Sequence, residues 1–233
     1  GAFLSRAYDF VRMAAISEAD LKLCGSHVGV SIGEDGPSQM ALEDIASLRA
    51  VHNSVVLYPC DPNQTVVLMD AMREQRGISY LRTTRGALPA IYEPGESFEI
   101  GGSRTVRSTG EDAVTLIGAG ITLHECLAAA DRLAGKGIAA RVIDLYSVKP
   151  VDEAAILKAA AETRAVVTVE DHWAEGGIGE TVAGVLAESD TATPLTRLAV
   201  SVKPTSGPPA DLLHAAGIDA ESIFAAVDGL DLG

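Results

Sequence analysis

Short, near-continuously apolar runs alternate with stretches of helical spacing along most of this chain, and that alternation constrains the fold more than any other feature. Ser54 to Tyr58, Ile78 to Leu81, Ala113–Ile117, Arg141–Leu145, Ala165–Val169 and Leu195–Val200 read as strands covered on both faces. Helical patterns over Leu123–Leu133, Asp152–Ala161 and Ile178–Ala187 lie between them, and two short helices close the chain. Strands that alternate with helices build parallel pairs, because a parallel neighbour needs a crossover. The pattern predicts an α/β protein with mainly parallel sheets flanked by helices.

The rhythm lapses once. Residues 86–112, GALPAIYEPGESFEIGGSRTVRSTGED, are dense in Gly, Pro and Ser and read as a linker with a boundary near Glu96. Two consecutive domains are therefore expected, 1–95 and 96–233. In the first, residues 5–18 place Ala7, Phe10, Val11, Ala14 and Ala15 on one side of a helix, and Leu21 to Cys24 read as a strand. A long loop, GSHVGVSIGEDGPSQ, follows before a helical pattern through Ala41, Leu42, Ile45, Ala46 and Leu48. Asp61-Pro62 supplies a cap and a first-turn proline for the next helix.

Composition narrows the partners. Eighteen Lys and Arg against 32 Asp and Glu leave a net charge of −14, the wrong field for a nucleic-acid backbone. The 47% hydrophobic content suffices for a core, yet no apolar run approaches the roughly 18 residues of a spanning helix. Cys24, Cys60 and Cys126 form no CxxC pair, which points to free thiols, a reducing compartment and a cytoplasmic setting.

In open α/β sheets ligands sit beyond the carboxyl ends of the strands. In the first domain those positions hold His27 with Asp35 and Gln39, then Cys60 and Asp61, then Arg82 and Arg85. Imidazole, carboxylate and guanidinium on one rim suit a phosphorylated, hydroxylated small molecule; equally, His27 and Arg85 could serve loop carbonyls and surface carboxylates. The 29–39 loop precedes a helix whose amino end could receive an anion, or its glycines could only make turns. Gly118-Ala119-Gly120 and Gly177-Ile178-Gly179 lack the third glycine of a dinucleotide fingerprint, since Leu123 and Val182 stand there. The five histidines make no HxxxH pair, so no protein metal site is expected. Glu170-Asp171-His172-Trp173 reads better as a hydrogen-bond knot under the sole Trp than as an acid/base cluster. No serine sits in a GxSxG elbow.

The segments SRAYDFVRMAAIS, LCGSHVGVSIGEDGPSQMALEDIASLRA, SYLRTTR, VTLIGAGITLHECLAAA and TVEDHWAEGGIGE together resemble transketolase, in order and over the whole chain. The GEDGPSQ form is similar to the animal-type branch. The resemblance implies most of a pyrimidine-binding domain followed by a C-terminal domain. It implies a thiamine diphosphate- and Mg2+-dependent transferase that moves a two-carbon ketol unit from a ketose phosphate to an aldose phosphate in the pentose phosphate pathway. By motif, Phe3 and Arg6 fall around the cofactor's pyrimidine ring, His27 at the donor's reacting hydroxyls, Asp35 at a sugar hydroxyl, Gln39 near the cofactor and Arg85 at the phosphate. In that family the ring-activating glutamate and the diphosphate-binding domain precede FLSRAYDF. The expectation is a carboxyl-terminal part, a homodimer when completed by an amino-terminal region or subunit, that binds no cofactor alone. The alternative is a non-catalytic α/β interaction module, or a subunit of a split thiamine enzyme that is inactive alone.

Overall fold

The computed structural model describes residues 1–232. A four-stranded sheet runs in the order β1 (Leu21–Gly25), β3 (Ile78–Arg82), β2 (Val55–Leu57), β7 (Ser147–Lys149), parallel except for the antiparallel β7. A five-stranded sheet follows the order β4 (Arg104–Arg107), β6 (Ala140–Asp144), β5 (Val114–Gly118), β8 (Ala165–Trp173), β9 (Leu195–Val200), parallel except for the antiparallel edge strand β4. The mainly parallel α/β architecture expected from the alternation is present.

The helices are α1 (Tyr8–Ile16), α2 (Asp44–Arg49), α3 (Pro62–Glu74), α4 (Ile121–Gly135), α5 (Glu153–Glu162), α6 (Ile178–Ala187), α7 (Pro209–Ala215) and α8 (Ala220–Asp228). None of the described helices is long and apolar enough to cross a membrane. The Asp61 carboxylate accepts the Gln64 amide at 2.7 Å with Pro62 behind it, so α3 starts where the Asp-Pro pair indicates. Asp152 and Asp219 cap α5 and α8 in the same way.

The structure departs from the sequence expectation at three places. The buried stripe of α1 is Val11 and Ala15, with Tyr8 half-buried, while Phe10 stays 77% exposed. The helix meets the sheet through a narrower face than the apolar residues occupy, so Phe10 and Met13 point outward. The 86–112 stretch contains β4, a strand whose two arginines hide it. Residues 147–149, beyond the linker, return to the first sheet beside β2.

The return of β7 fuses the two halves. Each hydrophobic cluster takes residues from both sheets: Val55 and Leu57 with Leu116 and Val167 in one, Val56 and Tyr58 with Ile117 and Ile143 in the other.

Candidate substrate and cofactor rim

Pairing of β1 with β3 continues past the strand ends: Thr83 N donates to Gly25 O at 2.9 Å and Val28 N to Thr83 O at 3.3 Å. The loops carrying His27 and Arg85 therefore leave the sheet side by side. His27 is exposed at a left-handed φ of 61°, a conformation uncommon for a residue with a side chain and enriched at functional sites. Its Nδ1 lies 3.0 Å from Ser26 Oγ.

The loop that follows folds into two 3-10 turns, Val30–Asp35 and Pro37–Gln39, hinged at Gly33 and Gly36 with φ of 82° and 80°. Arg85 Nη1 donates to Ile32 O at 3.1 Å and stands 3.4 Å from Asp35 and 3.8 Å from Glu34. Asp35 and Arg85 are thus brought together, half-open to solvent, with His27 on the same edge. Gln39 is half-buried at the end of the second turn. A cavity of about 420 Å³ opens beside them between the carboxyl ends of β2 and β3, lined by Cys60, Asp61, Thr83, Thr84 and Gly86. A larger one of about 500 Å³ lies at the amino end of β3, by His52, Arg76 and Gly77, away from every rim residue.

Phe3 and Arg6 are exposed on the 3-10 turn Ala2–Ala7. The Gly1 amino group donates to Ser26 O at 2.6 Å and holds this turn next to the His27 loop. An aromatic side chain that is 76% exposed fits one face of a heterocyclic ring, so Phe3 suits the ring end of a thiamine cofactor. On the same rim the carboxylates of Glu34 and Asp35 face Arg85. The described residues do gather His214, Asp219 and Glu221, whose ligand atoms fall within 4.8 Å of one another at the exposed α7–α8 corner. A search for HxxxH spacing passes over this trio, in which His214 Nδ1 contacts Asp219 at 2.8 Å.

Arg82, Cys60 and Asp61 correct the rim expectation. Arg82 is fully buried; its Nε meets Asp44 at 2.9 Å and its Nη1 meets Asp171 at 2.8 Å. Burial disfavours its charge, but Asp171 and then Asp44 outweigh burial and hold its pKa well above the usual value. Tyr58 donates to Asp171 at 3.0 Å and Tyr80 to Asp44 at 2.5 Å, which completes the shell of this buried triad. Spacing located Arg82 at a strand end but could not tell which way it points. Asp61 is spent on capping α3 and on the amides of Ile91 and Tyr92, at 2.7 and 2.8 Å. The Cys60 thiol is buried, and burial followed by Asp144 pushes its pKa up.

The 170–173 segment is the structural knot the sequence favoured. Glu170 accepts the Ile178 and Gly179 amides at the start of α6, and burial raises its pKa to about 7. His172 Nε2 accepts the Ala46 amide at 3.3 Å while Nδ1 donates to Trp173 O at 2.7 Å; burial lowers its pKa to about 4. A second knot went unseen. Asp144, fully buried at the end of β6, accepts Gln64 Nε2 at 2.7 Å, the Tyr92 hydroxyl at 2.8 Å and the Cys60 thiol at 3.7 Å. All three converge on Oδ2, Oδ1 has no partner, and burial raises the pKa to about 7. Its only sequence signal is one acid at the end of an apolar run.

Fold and rim together define a two-domain α/β protein with its polar loops gathered at the carboxyl ends of a parallel sheet, where such folds take ligands. Residues 1–90 match the transketolase pyrimidine-binding domain and residues 102–223 the transketolase C-terminal domain, so the chain belongs to the transketolase family. It is 50% identical to the transketolase of Rattus norvegicus and 51% identical to transketolase-like protein 1 of Bos taurus, over 98% and 97% of this chain. It spans only 37% and 38% of those proteins' lengths. A solved split-gene transketolase, described as an inactive β4 tetramer, superposes with a TM-score of 0.87 at 33% identity, over 97% of this chain and 72% of that one.

Proposed function

We propose that this chain is the carboxyl-terminal part of a thiamine diphosphate- and Mg2+-dependent transketolase that moves a two-carbon ketol unit from a ketose phosphate to an aldose phosphate, as in the pentose phosphate pathway of the cytoplasm. The observation that carries this reading is the Asp35–Arg85 pair on a glycine-hinged loop beside the exposed His27, in a chain that matches both transketolase domains. The domain boundary falls near Glu96. An amino-terminal region or subunit completes the site, the completed enzyme is a homodimer, and this chain alone does not turn over.

When bound, thiamine diphosphate supplies the nucleophilic carbon for breaking and making the carbon–carbon bond. Phe3 and Arg6 border its ring, and Gln39 faces the same site. Arg85 grips the sugar phosphate as a guanidinium fork, and Asp35 accepts a hydrogen bond from a sugar hydroxyl, which sets configuration. His27 moves a proton at the donor's reacting hydroxyl, a task suited to imidazole near neutral pH. Loss of such a group lowers rate by about 10²–10⁴-fold.

The test combines this chain with its amino-terminal counterpart, thiamine diphosphate and magnesium, and follows transfer from xylulose 5-phosphate to ribose 5-phosphate. Arg85→Ala is expected to lower kcat/KM for the phosphorylated donor by about 2–4 kcal/mol and to spare hydroxypyruvate. Equal losses on both donors, or full activity in His27→Ala, overturn the assigned roles. A second reading, a split-enzyme subunit that self-assembles without activity, draws support from the inactive assembly reported for the split-gene relative. Folded halves that give no transfer when mixed would favour it.

A further inference from the structure

The loop from Gly29 to Leu42 carries Asp35 and Gln39, yet its walls belong largely to the second domain. Asp171 stands so close to Gly29, at φ 76°, that a Cβ there would lie 1.8 Å from its Oδ2. Trp173 N donates to Leu42 O at 3.0 Å. Further along, a Cβ on Gly36 would lie 2.5 Å from Ser206 Oγ, and one on Gly33 would lie 3.1 Å from Gly207 O and 3.3 Å from the Pro209 ring. Beneath the loop, Val30 and Ile32 share one buried cluster with Leu212 and Leu213 of α7. No strand pairing holds residues 30–39; Arg85 reaches Ile32 O, Glu34 and Asp35, and Val30 and Ile32 share their cluster with Val55, Leu57 and Leu81 of the first sheet as well as with α7.

We infer that Ser206, Gly207 and Leu212 are positioning residues of the second domain that fix Asp35 against Arg85 and so set discrimination for phosphorylated sugars. The inference rests on the sugar-phosphate reading of that pair. Two glycines at positive φ, one tight against Gly207 O and the Pro209 ring and the other directly under the Ser206 hydroxyl, mean that the 33–36 loop and the 206–209 segment pack directly on one another. A shift in either moves the Asp35 carboxylate relative to the guanidinium, and misplacement on the order of 1 Å is costly for a bound substrate. The C-terminal domain thereby acts on specificity without touching substrate.

Ser206→Leu crowds Gly36, and Leu212→Ala removes the support below Ile32. Leu186→Ala is the control, because Leu186 is buried in the same domain but in the other core cluster. In the completed enzyme, both loop-facing variants are expected to raise KM for xylulose 5-phosphate about tenfold, with kcat within about twofold and hydroxypyruvate unaffected. Leu186→Ala should lose stability without that split, and adding Ser206→Leu to Asp35→Ala should change nothing further. A cofactor-free readout uses this chain alone: hydrogen exchange at the Gly36 amide, which donates to Gly33 O, should quicken in Ser206→Leu and Leu212→Ala but not in Leu186→Ala. Unchanged Gly36 exchange, or a KM shift in the control equal to that in the loop-facing variants, overturns the inference. Quickened exchange together with an Asp35→Ala that has normal KM keeps the positioning role and overturns the sugar-phosphate reading instead.

Discussion

Replacing Asp144 by Asn tests the physical account of the junction between the two domains. The folded protein keeps a proton on this carboxyl up to about pH 7, whereas in the unfolded chain it leaves near the ordinary value of 3.8. A carboxyl with a raised folded pKa contributes its full stability below pH 3.8 and loses it as pH climbs towards 7. The shift corresponds to about 4 kcal/mol overall, of which roughly 2.5 kcal/mol falls between pH 5 and pH 8. The Asn amide keeps an oxygen for Gln64, Tyr92 and Cys60, but places an NH2 where Oδ1 has no partner, a constant cost of about 1–2 kcal/mol. By pH 5 wild type has already lost about 1.7 kcal/mol, so the variant should be about as stable as wild type there and more stable by roughly 2–3 kcal/mol at pH 8. Urea unfolding at several pH values reads the difference directly, and the titrations of Glu170 and His172 cancel because both proteins share them. Two stability curves that run parallel from pH 5 to pH 8 would show that Asp144 is already ionised in the fold and refute the reasoning.

Arg82→Met strands Asp44 and Asp171 as buried acids and should cost about 3–5 kcal/mol in denaturant unfolding; a change below about 1 kcal/mol would mean the triad is not dry. Gly29→Ala combines a left-handed backbone with a collision at Asp171, so its melting point should fall by the equivalent of about 3 kcal/mol or more. Titrating this chain alone with thiamine diphosphate and magnesium should leave its melting temperature unmoved, since a ligand that binds the native state must raise it. His172, held neutral with a pKa of about 4 against 6.5 unfolded, loses its contribution as pH falls from 6.5 towards 4, so His172→Gln should soften the acid limb of the stability curve.

Strands covered on both faces announced themselves. The cores of β5, β6 and β8 are apolar runs too continuous for a half-exposed element, whereas β9, expected to be covered on both faces, is a half-open edge strand with Arg197 exposed; sequence limits agree with the structure to within a residue or two except at the long end of β8. β4 was silent because Arg104 and Arg107 ride on a half-open edge, where the alternation has little to bury. β7 was silent because three residues carry no period, and its partner lies about ninety positions away in sequence. At the rim the sequence placed Asp35 and Arg85 after neighbouring strands, and the structure sets them 3.4 Å apart and half-open to solvent. Arg82 went wrong for a geometric reason: position at a strand end fixes distance along the sheet, whereas the side of the pleat decides between solvent and core.

What sequence could not show is that the two domains are tied through ionisable side chains as well as through apolar surface. Arg82 of the first sheet grips Asp171 of the second, and Gln64 of α3 meets Asp144 of β6. Tyr58 reaches Asp171 while its ring fills the space beside Gly120 that any side chain there would need. Apolar contacts tolerate sliding by a fraction of a side chain; a buried charge does not, since a small displacement leaves it desolvated and unpaired. These ties therefore hold the second domain at one setting relative to the strand ends of the first. The loop that carries Asp35 lies in that joint, with Asp171 at its start and Ser206 over its second glycine hinge. Its conformation is accordingly a property of the pair of domains, which neither half of the sequence specifies alone.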